Sequence, residues 1–218
     1  MSFRLVKDMV AAKLGLRSGP APRGPLGLGL GRAVAFEEAP FILLDGAIPI
    51  AYPGGQCLVI GHGTLEAGGV TAHRYYLSAP GGGLAGLLQV VDNEECRFFR
   101  PFDEVHPASP GEWGFWLDDE DGYIGYPTFE AKGGLYQRLW NPGRTRIAPM
   151  SLEETVARAD GGSGRAELSL MLYGRPVVTP GGQVTEYLLV SAVRTEEGSA
   201  WVDLMLGIDL LPSLLTVF

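Results

Sequence analysis

Only two cysteines, Cys57 and Cys96, occur among the 218 residues, and neither belongs to a Cys-x-x-Cys pair. That excludes a small disulfide-stapled scaffold and a cysteine-rich zinc module. The two thiols read as reduced, partly buried small apolar groups, with one long-range disulfide left open. Histidine is as scarce: His62, His73 and His106 show no His-Glu-x-x-His spacing, so no metal is assigned. There is no uninterrupted apolar run of about 18 residues that reads as a membrane-spanning helix. The N-terminus lacks the compact apolar block and small-residue cleavage site of a signal peptide, so a cytoplasmic location is expected. Basic residues are outnumbered, 17 Lys and Arg against 25 Asp and Glu, for a net charge of −8. With no basic stripe, nucleic acid is not an expected partner. No Gly-x-Ser-x-Gly elbow is present, and Gly27-Leu-Gly-Leu-Gly31 lacks the ending of a phosphate-binding loop. No cofactor is expected.

What the chain does have is 32 glycines and 16 prolines scattered between apolar runs. Many short strands joined by tight turns leave that trace. Val70–Leu77 and Leu84–Val91 flank Pro80-Gly-Gly-Gly83 as one hairpin, and Tyr126–Glu130 and Leu135–Trp140 flank Ala131-Lys-Gly-Gly134 as another. Val184–Val193 and Trp201–Leu210 make a third, joined by the polar Thr195–Ser199. In its second arm, Val202, Leu204, Leu206, Ile208 and Leu210 alternate with Trp201, Asp203, Met205, Gly207 and Asp209, the period of a strand. Phe41–Leu44, Ala47–Ala51, Gln56–Ile60 and Glu167–Tyr173 are further expected strands. Ser109-Pro-Gly-Glu112 is a capping box that predicts a helix over 110–118, and Ser151-Leu-Glu-Glu154 predicts a second helix.

The expected fold is mainly β, a β-rich α+β class: antiparallel hairpins in one elongated domain or two tightly packed small lobes, with short helices. Residues 1–16 read as an amphipathic helix, 17–33 as a Pro/Gly-rich tether, 34–144 as a first lobe and 145–218 as a second packed on it. The N-terminal helix is read as docking on the body or fraying, in preference to a peripheral membrane contact through residues 2–16.

The strongest local candidate for a site is aromatic and acidic. Trp113, Trp116, Tyr123 and Tyr126 surround Asp118, Asp119, Glu120 and Asp121, a set suited to a cationic ligand or an Arg-bearing protein partner. The plain alternative is a solvated acidic loop beside the buried face of a short helix. Calcium-loop spacing fails, because Leu117 and Thr128 stand where carboxylates are required.

Ala72-His-Arg-Tyr-Tyr76, Leu87–Val91, Asp121–Phe129, Tyr136–Trp140, Ser169–Tyr173, Glu186–Ser191 and Leu206–Leu210 follow one another in an order that resembles the YjfK-like family of uncharacterised bacterial proteins. The resemblance implies a bacterial cytoplasmic protein, with an accessory role in an envelope-stress system as a weak further implication. It brings no catalytic residues. The expectation is therefore a non-catalytic binding or assembly module with a protein partner. The alternative is a hydrolase or metal-assisted enzyme with its site in the cleft between lobes.

Overall fold

Strand periodicity and glycine-centred turns set the architecture. The computed structural model describes residues 23–92, 94–143 and 145–218; the helix expected over 1–16 lies outside them. The chain runs β1 (Ala33–Phe36), α1 (Ala39–Leu44), β2 (Gln56–Ala67), β3 (Val70–Ser78), β4 (Leu84–Val91), β5 (Glu95–Val105), α2 (Pro110–Leu117), β6 (Thr128–Ala131) and β7 (Gly134–Arg138). It continues through β8 (Met150–Arg158), β9 (Ser163–Thr179), β10 (Gly182–Thr195), β11 (Ala200–Leu210) and β12 (Leu215–Val217).

Every pairing is antiparallel, and eight strands close on themselves in the order β2-β3-β4-β5-β11-β10-β9-β8 and back to β2. The remaining four strands extend two edges of the ring, β1 and β12 beside β2, and β7 and β6 beside β9. This corrects the expected fold class. The protein is all-β, a single closed barrel, not an elongated α+β domain or a pair of lobes. The range 34–144 supplies β2–β5 and the range 145–218 supplies β8–β11 to the same ring, so the inter-lobe cleft on which the enzyme alternative rested does not exist.

The error traces to β8. Its Ser-Leu-Glu-Glu opening reads as a helix cap, yet residues 150–158 pair with both β2 (Gly61↔Arg158 to Thr64↔Thr155) and β9 (Met150↔Leu170 to Ala157↔Ser163). Two open edges offer a row of backbone partners, and tertiary pairing overrides local helix preference. The alternation is present as Leu152, Glu154 and Val156, but a carboxylate occupies one apolar slot and hides it. The converse correction is α1, where Phe41–Leu44 is helical instead of extended, with Pro40 in the first turn. The hairpins β3–β4, β6–β7 and β10–β11 and the helix α2 form as expected, and Ser109 Oγ accepts the Glu112 N–H at the start of α2.

Two apolar layers result. One fills the barrel with Tyr76, Leu87, Phe99, Leu168, Trp201 and Met205. The other lies on its outside, where Tyr75, Leu88, Phe98, Val190 and Leu204 are covered by Leu28, Phe41, Ile124 and Phe129 from the connecting segments. From residue 23 the Pro/Gly-rich segment lies against the barrel, with Leu28 fully buried and Gly31 N–H donating to Val59 O. Strand β11 is therefore buried on both faces over most of its length, as Trp201 to Ile208 show. Cys57 and Cys96 are buried, unpaired thiols, pushed up by burial to about 11 and about 12.

Candidate functional site

An eight-stranded barrel is just wide enough to be filled by its own side chains or to hold one small ligand. This one is packed with side chains at one end and open at the other. Toward the β2–β3 turn the interior opens into a cavity of about 300 Å³. Its walls are Leu65, Leu152, Leu170, Leu172, Leu189 and Phe99, with Trp140 and Met150 at the β8 side and Val70 and Val91 near two hairpin turns. Among the described residues, the charged side chains lining it are Arg74 and Arg97.

Arg74 is the innermost β3 residue that reaches the cavity; Val70 and Ala72 precede it on the same face and Tyr76, fully buried, follows. The side chain is only 3% exposed. A guanidinium so placed needs a counter-charge, because an unpaired buried charge is prohibitive. Glu154, the misread residue of β8, supplies it: Arg74 Nη1 donates to Glu154 Oε2 at 2.8 Å, and the Tyr76 hydroxyl donates to the same oxygen at 2.9 Å. Burial holds the Tyr76 hydroxyl well above its ordinary range. Among the described residues nothing accepts a hydrogen bond from Arg74 Nε. Glycine makes this cluster possible. A Cβ on Gly63 would lie 2.1 Å from Glu154 Oε1, so β2 can pass the carboxylate only without a side chain there. Deeper in the barrel Asp203 is 4% exposed, and burial pushes its carboxyl up to about 6.

Arg97 is bound differently. Its Nε donates to Asp209 Oδ1 at 3.0 Å and its Nη2 to Glu95 Oε2 at 2.8 Å. The guanidinium lies 4.9 Å from the centre of the Tyr187 ring, whose hydroxyl donates to Asp209 Oδ2. It is a rim cation already matched by two carboxylates.

The residues singled out from the sequence gather elsewhere, around the end of α2. Trp113, Trp116 and Tyr123 are half-buried against the outer core, Trp116 stacked on Phe129 and Tyr123 tilted against it. Asp118, Asp119, Glu120 and Asp121 are all exposed, and Tyr126 is 36% exposed. Asp118 Oδ1 accepts the backbone N–H groups of Glu120 and Asp121, which hold its carboxyl below the ordinary range. Arg146 donates to the Asp119 and Gly122 carbonyls and ties the acidic turn down. Aromatics and acids are thus brought together as a patch, with Phe115 as its most exposed ring at 57%.

His62 and His73 meet on adjacent strands, Nε2 to Nδ1 at 3.2 Å, and both are lowered by burial. His106 lies apart against Glu104. Among the described residues no three His, Cys, Asp or Glu side chains converge on a point that could hold a metal ion. A second depression of about 460 Å³ lies outside the barrel between α1 and the β9–β10 turn, lined by Pro40, Leu43, Leu44, Thr179, Gln183 and Thr185 among others. It is a surface groove half-lined with polar side chains and without a buried charge.

Arg74, Glu154 and Asp203 escape sequence reasoning because each sits inside a strand pattern as if it were a surface residue. The signal available is that all three share a strand face with apolar neighbours, Tyr76, Val156 and Met205 respectively, so opposite charges are needed across the barrel. No helix among the described residues is long and apolar enough to cross a membrane. No curated protein and no solved structure matches the chain. The family model described as "Protein of unknown function (DUF2491)" matches residues 6–216, and the chain belongs to that family.

Proposed function

We propose that the protein is a non-catalytic binding module that holds one small apolar molecule in the open end of its barrel. The observation that carries this reading is the 300 Å³ cavity, walled by leucines and Phe99 and bounded on its inner side by a buried, charge-paired arginine. Ligand sites in general are concave, mostly apolar and furnished with a few fixed polar groups. Small barrels elsewhere use their mouths in this way. A bacterial, cytoplasmic setting, as the resemblance to YjfK-like proteins implies, would make the cargo an intracellular metabolite or lipid fragment.

The test is a fluorescence titration with N-phenyl-1-naphthylamine, an uncharged apolar probe. One probe should bind per chain, and Leu170→Trp, which fills the cavity, should abolish the signal. Leu43→Glu, in the groove beside α1, should leave it unchanged. A signal that survives Leu170→Trp and disappears with Leu43→Glu would place the site outside the barrel.

A second reading concerns the patch at Trp113–Tyr126 as a surface for an Arg-bearing protein partner. The observation favouring it is Phe115, more than half exposed on an aromatic stack beside four exposed carboxylates. Exposed aromatics next to unpaired acids suit a guanidinium. Replacing Phe115 by Ala and Asp119 to Asp121 by Asn should weaken capture of an Arg-rich peptide without lowering thermal stability. Unchanged capture would remove this surface.

A further inference from the structure

Resting on the ligand-binding reading above, we infer that the molecule held in the barrel is an uncharged amphiphile that enters with a carbonyl or ether oxygen toward Arg74 and its hydrocarbon part among the leucines. It is neither a free carboxylate nor a plain hydrocarbon.

The inference follows from how the two cavity arginines are committed. Arg74 presents five N–H groups on a planar fork. The hydrogen bond it makes among the described side chains leaves from Nη1 to Glu154, and Nε has no acceptor. The Arg74 side chain is 3% exposed, and its Nε lies where bulk water does not reach freely. A buried donor without an acceptor costs free energy that a ligand oxygen recovers. That argues for an acceptor on the ligand and against a pure hydrocarbon.

Charge decides the kind of acceptor. Arg74 is matched by Glu154 at 2.8 Å, and Asp203 lies buried on the inner side of the same network. At the rim Arg97 is matched by Glu95 and Asp209. A carboxylate ligand would add a negative charge to a low-dielectric space in which both cations are already paired. A ketone, ester or ether brings the acceptor without the charge. Among the described residues the walls supply no further charged or strongly polar partner apart from Gln89, so the rest of the ligand is apolar.

The experiment compares three ligands of one chain length by displacement of N-phenyl-1-naphthylamine: 2-nonanone, 2-methyl-1-nonene, in which a methylene replaces the carbonyl oxygen, and nonanoate. In the natural protein 2-nonanone should bind at least about tenfold more tightly than nonanoate at neutral pH, because only the carboxylate brings an unmatched charge into the cavity. The ratio of ketone to olefin affinity should fall by about tenfold in the double variant Arg74→Met/Glu154→Leu, which removes the pair together. Taking the ratio cancels the difference in water solubility between the two ligands. Arg74→Lys keeps a cation beside Glu154 while withdrawing the guanidinium edge, and should lower the same ratio should the double variant fold poorly. A ratio unchanged in both variants, or nonanoate binding as tightly as the ketone, overturns the head-group assignment while leaving the cavity as a ligand site. Failure of the probe and of all three ligands to bind overturns both.

Discussion

The two ends of the barrel interior are made by the same strands and are filled in opposite ways. At one end Tyr76, Leu87, Leu168 and Trp201 pack to complete exclusion of solvent. At the other, two to four residues along β3, β4 and β9, Ala72, Gln89, Leu170 and Leu172 stand back around 300 Å³ of space. The Arg74–Glu154–Tyr76 cluster sits on the boundary. The difference teaches that closing the ring and filling it are separate tasks. Backbone pairing of β8 with β2 and β9 closes the barrel, and one end of the interior stays open beyond the packed core. That open end is the proposed ligand site, and the charged cluster lies between it and the core.

The largest expected effect breaks that boundary. Arg74→Met leaves Glu154 buried without its cation and should cost about 3–5 kcal/mol of stability in urea unfolding, most of it restored by adding Glu154→Leu. Next is pH. The Asp203 carboxyl is raised from 3.8 to about 6, so the folded chain binds this proton more tightly than the unfolded one. Stability from this group is therefore fullest in acid and falls as pH rises from about 4 through about 6, by about 3 kcal/mol in all. Asp203→Asn should flatten that slope; an identical slope in the variant would move the effect to another group. Gly63→Ala forces a Cβ against Glu154 and should cost about 1–3 kcal/mol, read from the same unfolding curves. The smallest effect compares the ends directly. Leu168→Trp should cost about 1–3 kcal/mol at the packed end, whereas Leu170→Trp at the open end should cost less than about 1 kcal/mol. Equal costs would erase the distinction.

Much of the strand content is legible from residues alone. Trp201–Leu210 alternates visibly, Lys132-Gly133 takes the two positive φ angles that a two-residue hairpin turn demands, and Ser109 caps α2 as its spacing requires. Closure is not legible. It depends on pairings between residues 61–64, 150–158 and 163–170, which no local pattern encodes, and on a strand whose inward carboxylate breaks its own alternation. Strand β2 reads as ending at Ile60 because Gly61 and Gly63, inward positions that must stay small beside Tyr76 and Glu154, remove the apolar signal. The aromatic and acidic residues near α2 stand out by composition, which finds clusters along the chain. The cavity is assembled from seven strands and one loop residue, Trp140, and has no compositional signature.

The central claim, that the open end of the barrel takes a small apolar molecule, is tested most directly by methyl NMR on leucine-labelled protein titrated with 2-nonanone. Saturable shifts should appear at Leu65, Leu152, Leu170, Leu172 and Leu189, and not at Leu88, Leu188 or Leu204 on the outside of the barrel. Shifts confined to Leu43 and Leu44 in α1, or no saturable shift at any leucine, would contradict it.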